Sequence, residues 1–226
     1  MATSFHNYDP LACLKSPIHI LVLCDDAWHP GKTIRRGLNA LAEPRFKFEF
    51  LADGNEWSPA LMQNFPIVIV AKANHLCSTN KTPWLITDSQ VAFKHFVQQG
   101  GGLLFIHAGT CYKDLPEMRG VTGGAFMSHP DQCPIILEPK LDHPLTKGVN
   151  SFTEKDEHYI MTLDDAAADV FLYSRSEHGV QPAGWTRTEG AGRVCVLTPG
   201  HNVEVWLQTP FQRLLLNALR WTAKLN

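Results

Sequence analysis

Positive charge is scarce in this chain of 226 residues. Lys and Arg number 20 against 22 Asp and Glu, and no basic run exceeds the pair Arg35-Arg36. That excludes the basic face with which a protein grips nucleic acid. No apolar stretch approaches the length of a membrane-spanning helix. Residues 1–14 lack a basic segment followed by an apolar one, so no signal peptide is expected and a cytoplasmic location is predicted. The six cysteines, Cys13, Cys24, Cys77, Cys111, Cys133 and Cys195, form no CxxC pair, and reduced, mostly buried thiols are expected. No HExxH spacing is present. Gly100-Gly101-Gly102 precedes an apolar strand-like run, not a helix, so it is no phosphate-binding loop and no nucleotide cofactor is expected. Repeats, linkers and low-complexity segments are also missing. A single domain over residues 1–226 follows, with residues 1–16 as an irregular lead-in.

Apolar residues make up 44% of the chain, enough for a substantial core. Residues 18–24, 67–70, 102–106 and 192–197 are near-continuous apolar runs, the pattern of strands buried on both faces. Phe46, Phe48 and Phe50 alternate with Lys47 and Glu49, as in an edge strand. Helical spacing appears at Ile34, Leu38 and Leu41, at Val91, Phe93 and Val97, and at Phe211, Leu214, Leu215 and Ala218. Ser58-Pro59 is a helix start, and Thr87-x-x-Gln90 reads as a capping box. Strands alternating with helices predict an α/β fold: a parallel sheet with helices on both faces. Residues 111–133 are expected to form a long excursion, and short strands are expected over 134–138, 152–159, 170–173 and 182–187.

In such sheets ligands bind beyond the carboxyl ends of the strands. His29, His75, His107 and His201 each follow a predicted strand, and His129 lies in the excursion that leaves His107. Asp156, Glu157 and His158 are adjacent; strand alternation would put Asp156 and His158 on one face and Glu157 on the other. Imidazoles with a carboxylate hold a divalent metal such as zinc, or serve as acid and base. A plainer reading gives each histidine an ordinary loop hydrogen bond. Cys111, with His201 and Glu157 or Glu204, could form a nucleophilic triad. Against it, Cys111 lies four residues past the strand end, and His107 takes the position of a strand-to-helix elbow. Trp28 and Trp185 could stack on a sugar ring, although tryptophan more often packs in a core.

Several motifs occur in one order: Gly101-Gly102-Leu103-x-Phe105-x-His107-Ala108, Gly123-Gly124-x-Phe126-x-x-His129-Pro130, His143-Pro144-x-Thr146-x-Gly148, Asp156-Glu157-x-Tyr159, Pro182-x-x-Trp185, Gly192-Arg193-Val194 and Gly200-His201. Together they resemble the ThuA-like (trehalose utilisation) family over residues 18–222. The resemblance implies a flavodoxin-like, class I glutamine amidotransferase-like fold. In amidotransferases the elbow reads Gly-x-Cys-x-Gly; here Phe105-Ile106-His107-Ala108-Gly109 replaces the nucleophile with histidine. Glutaminase chemistry is therefore not expected. The family is associated with catabolism of trehalose and related disaccharides, often beside dehydrogenases that make keto-sugars.

These readings predict a sugar-processing enzyme acting on a trehalose-like disaccharide, glycoside or keto-sugar. Its catalytic residues would be His107, Asp156, Glu157 and His201. His29, His129 and Trp185 would bind substrate. A zinc or manganese ion would be held by His107, His201 and Glu157. The partner is a small-molecule carbohydrate, with neither nucleic acid nor membrane, and exposed aromatics in the second half admit a homodimer. The alternative is a non-enzymatic sugar-binding or regulatory protein that kept the fold after losing the cysteine nucleophile.

Overall fold

The computed structural model describes residues 16–225. Most of the expected lead-in over residues 1–16, with Cys13, lies outside them. The described residues form eleven strands and six α-helices. The strands are β1 (Ile18–Leu23), β2 (Phe46–Leu51), β3 (Ile67–Val70), β4 (Gly102–Ile106), β5 (Gly124–Ser128), β6 (Cys133–Pro139), β7 (Phe152–Asp156), β8 (Ile160–Leu163), β9 (Asp169–Ser176), β10 (Gly179–Glu189) and β11 (Gly192–Leu197). The helices are α1 (Gly31–Asn39), α2 (Pro59–Met62), α3 (Thr87–Gln98), α4 (Pro116–Thr122), α5 (Val203–Leu207) and α6 (Thr209–Thr222).

The main sheet has the order β2-β1-β3-β4-β11-β10-β9-β6-β7. Its first five strands are mutually parallel. The last four are antiparallel to their neighbours, which extends the predicted parallel sheet on one side. β5 and β8 form a separate antiparallel pair. The apolar runs are continuous because both faces of the sheet are covered. On β4, Leu104 and Ile106 face a core shared with Leu38, Trp206 and Leu215. Leu103 and Phe105 face a second core with Phe93, Val97 and Trp185.

Three local expectations change. Residues 111–133 are not a bare excursion, since they hold α4 and β5. Thr87 is not a cap: Ile86 takes the extended N-cap conformation, and Thr87 is already helical. The strand expected over 152–159 breaks after Asp156, where that carboxylate turns to accept backbone amides of the 200–202 loop. Ser58 does cap α2, accepting the Leu61 amide at 3.1 Å. Cys24, Cys77, Cys111, Cys133 and Cys195 are free thiols, as expected.

Candidate functional site

β4 ends at Ile106, and the next residue, His107, enters the left-handed region at φ 49° and begins a short turn over His107–Thr110. A non-glycine residue held there is strained. The turn is also sterically closed: a Cβ at Gly109 would lie 2.0 Å from the Val70 carbonyl oxygen. The loop after β1 brings His29 to the same place, and the loop after β11 brings His201. Their rings pack edge-on against His107, with centroids 4.9 and 5.5 Å away. Glu157, just beyond β7, completes the group. One ligand atom from each of His29, His107, Glu157 and His201 lies within 4.8 Å of all the others. The ends of the parallel strands β1, β4 and β11 gather the three histidines, far apart in sequence, as expected beyond the carboxyl edge of an α/β sheet.

Hydrogen bonding fixes how these groups present themselves. His107 Nδ1 is 2.8 Å from the Thr198 carbonyl oxygen, which only accepts, so Nδ1 carries the hydrogen and Nε2 the lone pair. The Tyr159 hydroxyl donates to that Nε2 at 3.0 Å, and its ring stacks on the imidazole at 4.2 Å. Burial pushes the His107 pKa down to about 4, so the ring is neutral. His29 Nδ1 lies 2.9 Å from both oxygens of Asp26.

The Glu157 carboxylate has three imidazole nitrogens around it: His201 Nδ1 at 3.0 Å, His107 Nε2 at 3.3 Å and His129 Nε2 at 3.7 Å. The Glu157 carboxylate beside His201 raises the pKa of that ring. Despite the short distance, His201 Nδ1 is out of hydrogen-bond alignment with Glu157 and is buried without a partner.

A cavity of about 730 Å³ opens over the cluster. His29, Glu157, His201, His129 and Tyr159 line it, and Trp28, His75, Cys111 and Phe126 complete much of its wall. Trp28 is 59% exposed at the mouth, with the Lys81 ammonium 3.9 Å from its ring centroid. His129 bonds through Nδ1 to the Pro130 carbonyl at 2.8 Å, which leaves Nε2 as a base facing Glu157. Cys111 lines the cavity, but burial pushes its thiol up to about 12, and its sulfur is 3.9 Å from the Tyr159 hydroxyl. A thiol at that value carries almost no thiolate, the form a nucleophilic triad requires.

Two expected site residues do not reach the cavity. Trp185 is fully buried in the core, and its indole donates to the Thr122 carbonyl at 2.8 Å, so no sugar can stack on it. Asp156 is also fully buried, and its oxygens accept the amides of Gly200, His201 and Asn202 at 2.7, 3.0 and 3.1 Å. It shapes the His201 loop instead of meeting a substrate. His29, expected to touch substrate, stands among the metal-ligating candidates. Tyr159 was overlooked as a site residue, although Asp156-Glu157-x-Tyr159 was visible as a motif. The His143-Pro144 motif is structural: His143 Nδ1 accepts the Leu145 amide at 3.2 Å and caps a short turn.

The ThuA family, described as trehalose utilisation, matches residues 25–222. The chain belongs to the ThuA family. Solved structures share this ThuA fold. A ThuA-like protein from Parabacteroides merdae superposes with a TM-score of 0.73 at 20% identity, covering 92% of this chain and 90% of that one. A ThuA-like protein from Bacteroides uniformis gives 0.70 at 20% identity, covering 97% and 95%. The β-galactosidase of Rahnella sp. R3 contains a similar fold, with a TM-score of 0.65 at 14% identity over 93% of this chain and 32% of the enzyme. At these identities the likeness is one of fold. Comparison with curated proteins finds no match. No helix among the described residues of this ThuA protein is long and apolar enough to cross a membrane.

Proposed function

We propose that this ThuA protein is a carbohydrate-processing enzyme whose site holds a divalent cation, zinc or manganese, through His29, His107, Glu157 and His201. The observation that supports this most is the setting of the Glu157 carboxylate. It is 9% exposed and faces three imidazole nitrogens, yet accepts a hydrogen bond from none of them. His107 Nε2 bears its lone pair 3.3 Å from Glu157 and in the metal-free site shares it only with the Tyr159 hydroxyl, at 3.0 Å. His201 Nδ1 is orphaned beside them. A cation answers all three, and three imidazoles with one carboxylate suit zinc or manganese.

The substrate class is a trehalose-like disaccharide, a glycoside or a keto-sugar made from one. When bound, the metal supplies Lewis acidity toward a sugar carbonyl or hydroxyl oxygen. The protein's own residues do the rest. Glu157 and His107 bind and orient. Burial keeps the Tyr159 phenol neutral, with a pKa raised well above its ordinary value, so its O–H remains a hydrogen-bond donor at the cavity floor. His129 Nε2 takes and returns a proton at the exposed side of the cavity. Trp28 and Phe126 provide apolar wall for a sugar ring.

Metal analysis of purified protein, joined to turnover assays on trehalose and its keto derivative, tests this reading. Stoichiometric zinc or manganese, lost in the His107→Ala/His201→Ala double variant together with turnover, is expected. Tight sugar binding with neither metal nor turnover would instead favour the non-enzymatic sugar-binding protein.

A further inference from the structure

Asp26 lies behind the cluster, 1% exposed, and does not line the cavity. Its Oδ1 accepts the amides of Trp28 at 2.8 Å and His29 at 3.1 Å. Its Oδ2 accepts the amide of Ala73 at 2.8 Å. His29 Nδ1 stands 2.9 Å from each oxygen. A carboxylate only accepts, so the hydrogen between the two side chains belongs to His29 Nδ1, and the lone pair is left on Nε2. Asp26 thus joins the loop after β1 to the loop after β3. The second loop forms the Ala73, Asn74 and His75 wall of the cavity. That wall is stiff: Lys72 Nζ donates to the Ala52 and Leu76 carbonyls at 2.8 Å, and Asn74 Oδ1 accepts the Trp84 and Leu85 amides at 3.0 and 2.9 Å.

We propose that Asp26 is the positioning residue of the candidate metal centre, locking His29 in its Nδ1–H tautomer and tying that imidazole to the cavity wall at Ala73. The link to metal rests on the metal-binding reading of the site; the tautomer exists with or without metal. Partners behind a ligating histidine fix its ring and tautomer, and their loss lowers metal affinity by about 10–100-fold. Asp26→Asn retains the shape but offers an NH₂ group, which can donate to Nδ1 and move the ring hydrogen to Nε2.

Two measurements on the full chain test this. The first is long-range ¹H–¹⁵N NMR of the metal-free protein. Wild-type His29 is expected as the Nδ1–H tautomer, and Asp26→Asn as a mixture or as Nε2–H. The second is zinc affinity by calorimetry in wild type, Asp26→Asn, His29→Ala and the double variant. Asp26→Asn is expected to weaken zinc by about 10–100-fold. In the His29→Ala background the same change should matter by less than about twofold, because Asp26 acts through His29.

A wild-type His29 found as Nε2–H overturns the proposal whether or not Asp26→Asn folds. So do losses that multiply in the double variant, as a merely structural carboxylate would give. Wild-type protein that takes up no zinc but shows the Nδ1–H tautomer, shifted by Asp26→Asn, supports the lock on His29 and overturns the metal reading alone.

Discussion

The Asp156 carboxylate accepts the backbone amide of His201 at 3.0 Å, so the end of β7 sets where a cluster imidazole stands. Burial pushes the Asp156 pKa up to about 6, while the Gly200 and Asn202 amides draw it down; near neutral pH the group is ionised. Asp156→Ala would leave buried N–H groups unpaired. The expected loss is about 3 kcal/mol of stability, read by urea unfolding of metal-free protein. A loss under about 1 kcal/mol would show that the loop holds itself.

His107→Ala should abolish stoichiometric metal and turnover while the metal-free protein still unfolds cooperatively. Elemental analysis and thermal unfolding check both. Retained metal at the wild-type level would remove His107 from the ligand set.

Cys111 should resist iodoacetamide near neutral pH, because its thiol is raised to about 12 by burial. Mass spectrometry of the alkylated peptides measures this against Cys77, which lies on a partly exposed loop. Cys111→Ser should keep turnover. Loss of turnover on alkylation at Cys111 itself would revive the nucleophilic triad.

His143 gives the fold a pH-dependent contribution away from the site. Its Nδ1 accepts the Leu145 amide, and Nε2 lies 3.2 Å from Asp169. Burial lowers its pKa below the ordinary 6.5, so folding favours the neutral ring. That contribution is complete above 6.5 and fades as pH falls through 6.5 toward the lowered folded value. At neutral pH His143→Ala should cost about 1 kcal/mol, the worth of a cap. His143→Asn keeps an acceptor that does not titrate, so it should lose less stability than wild type on acidification. Equal losses for His143→Asn and wild type, in urea titrations at neutral pH and again after acidification below 6.5, would refute this.

Trp185→Phe should cost about 1–3 kcal/mol, since the Thr122 carbonyl loses its buried donor. Sugar affinity, measured by calorimetry with trehalose, should not change. A large loss of affinity at unchanged stability would return Trp185 to the cavity.

Much of the frame was legible before the structure. Ile67–Val70 and Gly102–Ile106 read as central strands because both faces of each are covered, which makes the run uniformly apolar. His107 and His201 were legible as site residues because each closes such a run. Trp185 misled because an indole that packs and one that stacks on a ligand look alike in sequence. In sequence Asp26 reads only as part of a turn-rich loop, three residues before a histidine. Its contact with Ala73 spans 47 residues.

The sequence alone determined the α/β class, the central strands, the family and the concentration of histidines at strand ends, because these rest on burial and local order. The tertiary structure decided which histidines converge and which carboxylate meets them. Positions 29, 107, 157 and 201 become neighbours only when the carboxyl ends of β1, β4 and β11 meet the segment that follows β7. Neighbouring carboxylates part company at the end of β7, on opposite sides as alternation predicts: Glu157 turns to the cavity while Asp156 turns to backbone amides.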